Sequence, residues 1–149
     1  WKLWSNGGAV GGPTNVGGRK DGRSVMGRGL AKDAIEHTAY LGHWFLPELY
    51  GGLCQVGIWR VYLRPLGLIL VPSKPLREDA PHLSWRGKAN LATVEGSLDW
   101  LEANAAVFNR TVYVPVLGAG NGGLDSQSVK SLMDHILQSR NFLGVERES

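Results

Sequence analysis

The sequence predicts an α/β layer fold with a mixed central sheet. Three observations point there. Segments with helical spacing of apolar residues alternate with short β-branched runs. Two glycine-rich stretches each lead into such a helical segment. Two strand-like runs, Ile58–Leu63 and Gly67–Val71, are joined by Arg64-Pro65-Leu66. That link is too tight for a crossover helix, so this pair is antiparallel.

Residues 1–27 read as extended or irregular. From Arg28 a helix is expected, with Leu30, Ala34, Ile35 and Thr38 on one face. Pro47 opens a short second helix over Glu48–Tyr50, which Gly51-Gly52 stops. The antiparallel strands follow. Residues 72–88 carry three prolines and no periodicity, and read as loop. Leu91, Val94, Leu98 and Leu101 mark an amphipathic helix. Thr111–Leu117 is a largely buried strand, with Pro115 marking a bulge or a sheet-edge position. Val129, Leu132, Met133 and Ile136 mark a last helix, with Asp125 at its N-cap. Phe142–Val145 is a short final strand.

The chain has 149 residues, which suits one domain spanning 1–149. Hydrophobic residues are 43% and charged residues 19%, a globular balance that excludes disorder. The lone Cys54 excludes an intrachain disulfide and any multi-cysteine metal centre. His37, His43, His82 and His135 show no ligand spacing, so neither a metal nor a cofactor is expected. There is no Gly-x-Ser-x-Gly turn for serine-hydrolase chemistry. No apolar run approaches a membrane span, and no signal-peptide pattern opens the sequence; a cytoplasmic protein without a membrane partner is expected.

Charge and glycine are both uneven. Residues 1–88 hold 12 Lys/Arg against 6 Asp/Glu, and residues 89–149 hold 4 against 7. A basic half suits a phosphate-bearing partner or a solvated surface. Of 21 glycines, nine fall in the first 29 residues and four in Gly118-Ala119-Gly120-Asn121-Gly122-Gly123. Residues 111–137 run strand, glycine loop, helix, the order that holds a phosphate on backbone N–H groups at a helix N-terminus. The loop lacks the Gly-Lys-Ser/Thr ending of a P-loop. Gly118, Gly120 and Gly123 match a bare G-x-G-x-x-G, but too late in the chain for a dinucleotide-binding fold. Val25-Met26-Gly27-Arg28-Gly29-Leu30-Ala31 has a similar shape. Two anion cradles imply two phosphates, or one diphosphate gripped from both sides.

Two segments, Ser24–Ala31 (SVMGRGLA) and Val114–Leu124 (VPVLGAGNGGL), resemble the macrodomain family, an ADP-ribose-binding module. The resemblance runs from about Asn15 to about Ile136. It implies a three-layer α/β/α sandwich with a mixed central sheet. It also implies a diphosphate clamp from Val25, Met26, Gly27, Arg28 and Gly29 on one side. Gly118, Ala119, Gly120, Asn121, Gly122, Gly123 and Leu124 form the other side. Val71-Pro72-Ser73-Lys74 and Ser84-Trp85-Arg86-Gly87-Lys88, leading into Leu91 and Gly96-Ser97-Leu98, are similar to one branch, the DNA ADP-ribosyl glycohydrolase antitoxins of the DarG type and their glutamate-directed relatives.

By that resemblance, Asn15 contacts the ribose beside the scissile bond and Lys74 is the catalytic lysine. A lysine amine attacks an anomeric carbon only as the neutral base, which requires desolvation or a nearby cation to lower its pKa from about 10.4. A charged lysine would instead stabilise the leaving group electrostatically. The implied partners are ADP-ribose, ADP-ribosylated nucleic acid or protein, and an ADP-ribosyltransferase toxin. The implied activity is hydrolysis of ADP-ribose from a macromolecule, DNA ahead of protein. A non-catalytic reader, a nucleic-acid-binding module and a phosphatase of phosphorylated ADP-ribose are the alternatives.

The sequence also departs from the family pattern. Trp1–Gly12 lacks the acid that binds the adenine amino group in macrodomains. Val16–Arg23 is an insertion, basic enough to lie on a polynucleotide or simply to form a loop. Gly122 stands where the glutamate-directed relatives carry an acid, and Asp125 is the nearest carboxylate. Trp85 and Trp100 are read as packing residues, and Trp1, Trp4, Trp44 and Trp59 as core or its edges.

Overall fold

Alternating strand and helix residues give alternating layers. The computed structural model describes residue 4 and residues 7–26, 29–119 and 122–145. Its strands are β1 (Ala9–Thr14), β2 (Val61–Leu63), β3 (Leu68–Pro72), β4 (Val112–Val114) and β5 (Phe142–Gly144). Its helices are α1 (Gly29–His37), α2 (Phe45–Gln55), α3 (Leu91–Ala103), α4 (Ala105–Phe108) and α5 (Ser126–Ile136). Short 3-10 turns occupy Ala39–Leu41, Arg64–Leu66 and Pro81–Arg86. The five strands form one sheet in the order β2-β3-β1-β4-β5. β2 runs antiparallel to β3, and the other pairings are parallel. The sheet is mixed, as the tight Arg64–Leu66 link requires.

Each face of the sheet has its own core. Val10, Leu68 and Leu70 pack with Met26, with Ala34 of α1, and with Leu46 and Tyr50 of α2. Ala9, Ile69, Val71, Val112 and Val114 pack with Val94, Leu98 and Leu101 of α3, Phe108 of α4, and Val129 and Met133 of α5. The alternation of Ala9 and Val10, or Ile69 and Leu70, between the two cores is the period-2 pattern of a strand covered on both sides. The result is a helix–sheet–helix sandwich.

Several elements differ from expectation. The central strand β1 lies inside the segment read only as extended or irregular, and half of it is Gly11-Gly12-Pro13. Proline is rare in a central strand because it has no N–H to donate. Here the seams explain it. Ala9 donates its amide to Thr111 on the β4 side and Val10 to Gly67 on the β3 side. By alternation, residue 13 faces β4. Pairing of β1 with β4 covers only Ala9 and Val10, whereas pairing with β3 runs from Val10 to Thr14. Pro115 likewise stands where the next β4 amide would turn toward β1, since Val112 donates the other way, to Asn141. Two prolines therefore end the β1–β4 ladder early and leave the carboxyl end of that seam unpaired.

Pro115 also shortens the expected strand 111–117 to Val112–Val114. The second helix does not stop at Gly51-Gly52 but continues to Gln55. Pro47 is tolerated in its first turn, where an N–H would lack an intrahelical acceptor. The strand expected from Ile58 begins at Val61. Among the described residues, no helix is long and apolar enough to cross a membrane.

Candidate functional site

The connections leaving β1 and its two neighbours set the site. From β1 the chain goes to α1 and α2 on one face; from β3 and β4 it goes to α3 and α5 on the other. In open α/β sheets such a divergence is the usual place for a ligand, at the carboxyl ends of the strands. Three loops meet at that edge: 15–28 after β1, 73–90 after β3, and 115–125 after β4. The first and third are the two glycine loops, and the second carries Lys74.

The loops are stitched together. Gly17 lies so close to the Pro81–Arg86 turn that a Cβ there would overlap the Pro81 carbonyl oxygen and the Ser84 hydroxyl. Ala89, after that turn, donates its amide to the Gly122 carbonyl at 3.0 Å. Asn90 donates to Ser73 O at 3.2 Å and caps α3 through its side chain on the Thr93 amide. The β3 loop thus touches both glycine loops.

The first loop folds back on its own start. Asn15 Nδ2 donates to Val25 O at 3.3 Å, and Ser24 Oγ donates to Asn15 O at 3.4 Å. Asn15 Oδ1 is buried and finds no partner among the described residues. A buried acceptor left unpaired is costly, which sets this oxygen apart from the other buried side-chain polar atoms described. Val25 is half-buried, while the Met26 side chain is buried with the α1–α2 core. Gly29 begins α1. Gly27 and Arg28 lie outside the described residues, as do Gly120 and Asn121 of the second loop.

In the second loop Gly118 has φ of +79°, and its carbonyl accepts from the Leu124 amide at 2.9 Å, closing the loop at its neck. Ala119 and Gly122 donate to Val116 O and Ala119 O, at 3.3 and 3.4 Å. The Ala119, Gly122 and Leu124 amides are thus engaged inside the loop, a point glycine spacing does not reveal. Gly123, also at φ +79°, is exposed. Asp125 accepts from the Ser128 amide at 3.0 Å and from its hydroxyl at 2.8 Å, the work of an N-cap. These hydrogen bonds hold its carboxyl below the ordinary aspartate value.

Lys74 is half-buried, two residues beyond the end of β3. Thr14 and Pro72 are register partners in the last rung of the β1–β3 ladder. Asn15 and Lys74 therefore leave neighbouring strand ends. Both ends are anchored by side chains, Tyr50 and Ser97, for which the sequence alone predicts no such role. Tyr50 OH donates to Trp59 O at 2.6 Å, so the Thr14 hydroxyl, also 2.6 Å away, donates to Tyr50. Burial pushes the Tyr50 phenol far above its ordinary value, so it keeps its proton. On the other face Ser97 Oγ donates to Pro72 O at 2.6 Å and accepts from Arg60 Nε at 3.3 Å. These partners lie far apart in sequence, and no local pattern signals them.

The Val16–Arg23 insertion is docked on α2. Arg19 N donates to Arg23 O at 2.6 Å, and the Arg23 guanidinium pairs with Glu48 at 3.0 Å and lies 4.1 Å over the Trp44 ring. Asp21 balances Arg19 and Arg23 at 3.6 and 3.7 Å. Much of its basic charge is therefore matched locally. Trp4 packs against the α1–α2 core and Trp100 against the other, while Trp44 is partly exposed. Trp1 lies outside the described residues, as does the Trp85 side chain. Among the described residues no cluster of three His, Cys, Asp or Glu could hold a metal ion.

No protein-family model matches the chain, and no curated protein matches it. Solved structures do. The macrodomain of Mycobacterium tuberculosis DarG is similar at 24% identity and a TM-score of 0.67, over 93% of this chain and 86% of that one. The macrodomain of Thermus aquaticus DarG is similar at 22% identity and 0.65, over 95% and 89%. Thermosipho africanus DarTG in complex with ADP-ribose is similar at 19% and 0.64, over 93% of this chain and 37% of that longer one. Together with the sheet order and the two helix layers, this likeness means that the chain has the macrodomain fold.

Proposed function

We propose that this chain binds ADP-ribose at the carboxyl edge of its sheet and releases it hydrolytically from a modified macromolecule, DNA in preference to protein. The observation that carries the reading is Asn15 Oδ1, buried without a described partner where the three loops meet. A ribose hydroxyl is a donor of suitable size for it. The two glycine loops flank that point, as a diphosphate clamp requires, and a structural neighbour holds ADP-ribose. Val25, Met26, Gly27, Arg28 and Gly29 would grip one side of the diphosphate. Gly118 to Leu124 would grip the other through the amides not already engaged.

Lys74 would act at the distal ribose. As the neutral amine it adds to the anomeric carbon while the bond to the carrier base breaks. Water then displaces the amine, giving free ADP-ribose and restoring the lysine. The carrier leaves with the proton, so the net change is hydrolysis. DNA is preferred because the resemblance is to the DNA-directed branch and residues 1–88 carry the basic excess. An ADP-ribosyltransferase toxin in the same cytoplasm would supply the substrate.

Gly122 favours a second reading, because it stands where glutamate-directed relatives carry an acid. Without that acid the protein would be a reader that binds ADP-ribose and releases nothing. Calorimetry with free ADP-ribose tests the shared core of both readings, and no heat at millimolar ligand would sink both. Incubation with ADP-ribosylated single-stranded DNA and ADP-ribosylated protein separates them. Lys74→Ala is expected to abolish product while leaving affinity within about threefold; full turnover in that variant removes the catalytic role.

A further inference from the structure

Trp59 and Arg60 are consecutive, precede β2, and take part in hydrogen-bond chains on opposite faces of the sheet. The Trp59 carbonyl accepts from Tyr50, which accepts from Thr14. The Arg60 guanidinium donates to Ser97, which donates to Pro72 O. Thr14 and Pro72 form the terminal rung of the β1–β3 ladder. Both chains therefore start at one dipeptide and end on one rung.

We infer that Trp59–Arg60 is the hub of a two-jawed clamp that fixes the terminal rung and so sets where Asn15 and Lys74 begin. This rests on the ADP-ribose reading for its function, but the clamp itself does not. Tyr50, Ser97 and Arg60 are positioning residues: they act through Thr14 and Pro72, not on a ligand. The rung needs such a device because β1 has already lost its β4 partner at this level, to Pro13 and Pro115. With only β3 beside it, the end of β1 would fray as an edge does. The jaws differ in setting. Tyr50 and Ser97 are both fully buried, whereas Arg60 is half-buried and can be replaced without opening a core.

Amide hydrogen exchange of the whole chain, read beside ADP-ribose calorimetry and thermal melting, tests this. Tyr50→Phe is expected to speed exchange at Thr14 and Asn15, and Ser97→Ala at Ser73 and Lys74, each roughly five- to tenfold, the size of one lost hydrogen bond. Arg60→Gln is expected to affect both pairs, because it frees the hub, and to weaken ADP-ribose by a similar factor with little change in melting. Arg64→Gln, whose guanidinium reaches only the Val107 carbonyl among its described hydrogen bonds, should alter none of these. Arg60→Gln acting at Ser73 and Lys74 but not at Asn15 overturns the hub. Uniform acceleration that includes Val112 and Val129 overturns the clamp and leaves a general packing role. A selective effect in a protein that binds no ADP-ribose supports the clamp and overturns the functional reading.

Discussion

The two glycine loops leave the same edge of the sheet but are held in shape by different means. The loop after β1 borrows its form from α2. Ser24 donates its amide to Pro47 O at 2.9 Å, Arg23 pairs with Glu48, and Gly51 lies directly under the Gly22 carbonyl. The loop after β4 is nearly self-contained. Gly118 and Leu124 close its neck, and Ala89 and Val94 pack beneath it. The first loop is therefore shaped by polar contacts from a helix more than twenty residues away, and the second mainly by glycine conformation, its own backbone bonds and apolar packing, with one outside amide, from Ala89, on the Gly122 carbonyl. A long loop needs external support because ordering each residue costs about 1–2 kcal/mol of backbone entropy. A short loop can supply its own.

The comparison can be broken hardest at Gly118. Its φ of +79° disfavours any side chain. An added Cβ would also meet Leu124 Cδ1 at 2.7 Å, Ala89 Cβ at 3.0 Å and Val94 Cγ2 at 3.3 Å. Gly118→Ala is expected to cost about 3 kcal/mol, from roughly 1 kcal/mol of backbone strain and about 2 kcal/mol of overpacking. Urea denaturation measures it. A loss below about 1 kcal/mol would mean that the second loop adjusts freely, contrary to a self-contained build.

The first loop is broken from outside it. Gly51 and Gly52 are adjacent in α2 but have opposite surroundings. A Cβ on Gly51 would overlap the Gly22 carbonyl oxygen and come within 2.9 Å of the Ser24 amide nitrogen, whereas one on Gly52 would meet nothing within 4 Å. Gly51→Ala is expected to destabilise by about 2 kcal/mol, because backbone must move, and to weaken ADP-ribose by shifting Ser24 and Val25. Gly52→Ala is expected to stabilise by up to about 1 kcal/mol, the helix propensity difference, without affecting the ligand. Equal effects at the two positions, by melting and calorimetry, would refute the support of the first loop by α2.

The same contrast governs what could be read in advance. The second loop was legible because its signals are local: a β-branched run, glycines, then Asp125 ahead of Val129, Leu132 and Met133. The first loop was legible only as glycines before a helix. Its support is not legible, since Gly51-Gly52 looks like a helix stop until the Gly22 carbonyl is seen to need the missing Cβ. The central strand was hidden for a related reason. Gly11-Gly12-Pro13 has poor β propensity, and it is tolerated because the proline falls on the seam where the ladder has already ended. The candidates Asn15 and Lys74 rest on resemblance. Their anchors, Tyr50, Ser97 and Arg60, came only from three-dimensional contact across 36, 25 and 37 residues.

The smallest effect sharpens the comparison at the end of the second loop, where Asp125 is either a helix cap or the missing reactive acid. Its carboxyl is held below its ordinary value, first by the Ser128 hydroxyl and then by the Ser128 amide. A carboxylate with a lowered folded-state value stabilises the fold above its unfolded value and loses that stabilisation as pH falls through the folded one. The stability curve should therefore be flat near neutrality and decline below about pH 4. Asp79, lowered by its hydrogen bond from Arg77, contributes in the same window. Asparagine caps a helix about as well as aspartate but cannot titrate. Asp125→Asn should then keep neutral-pH stability, ADP-ribose affinity and turnover, and soften the acid decline, leaving the part due to Asp79. Turnover lost with binding intact would instead make Asp125 the acid that Gly122 does not supply, and the second loop would be reactive as well as structural.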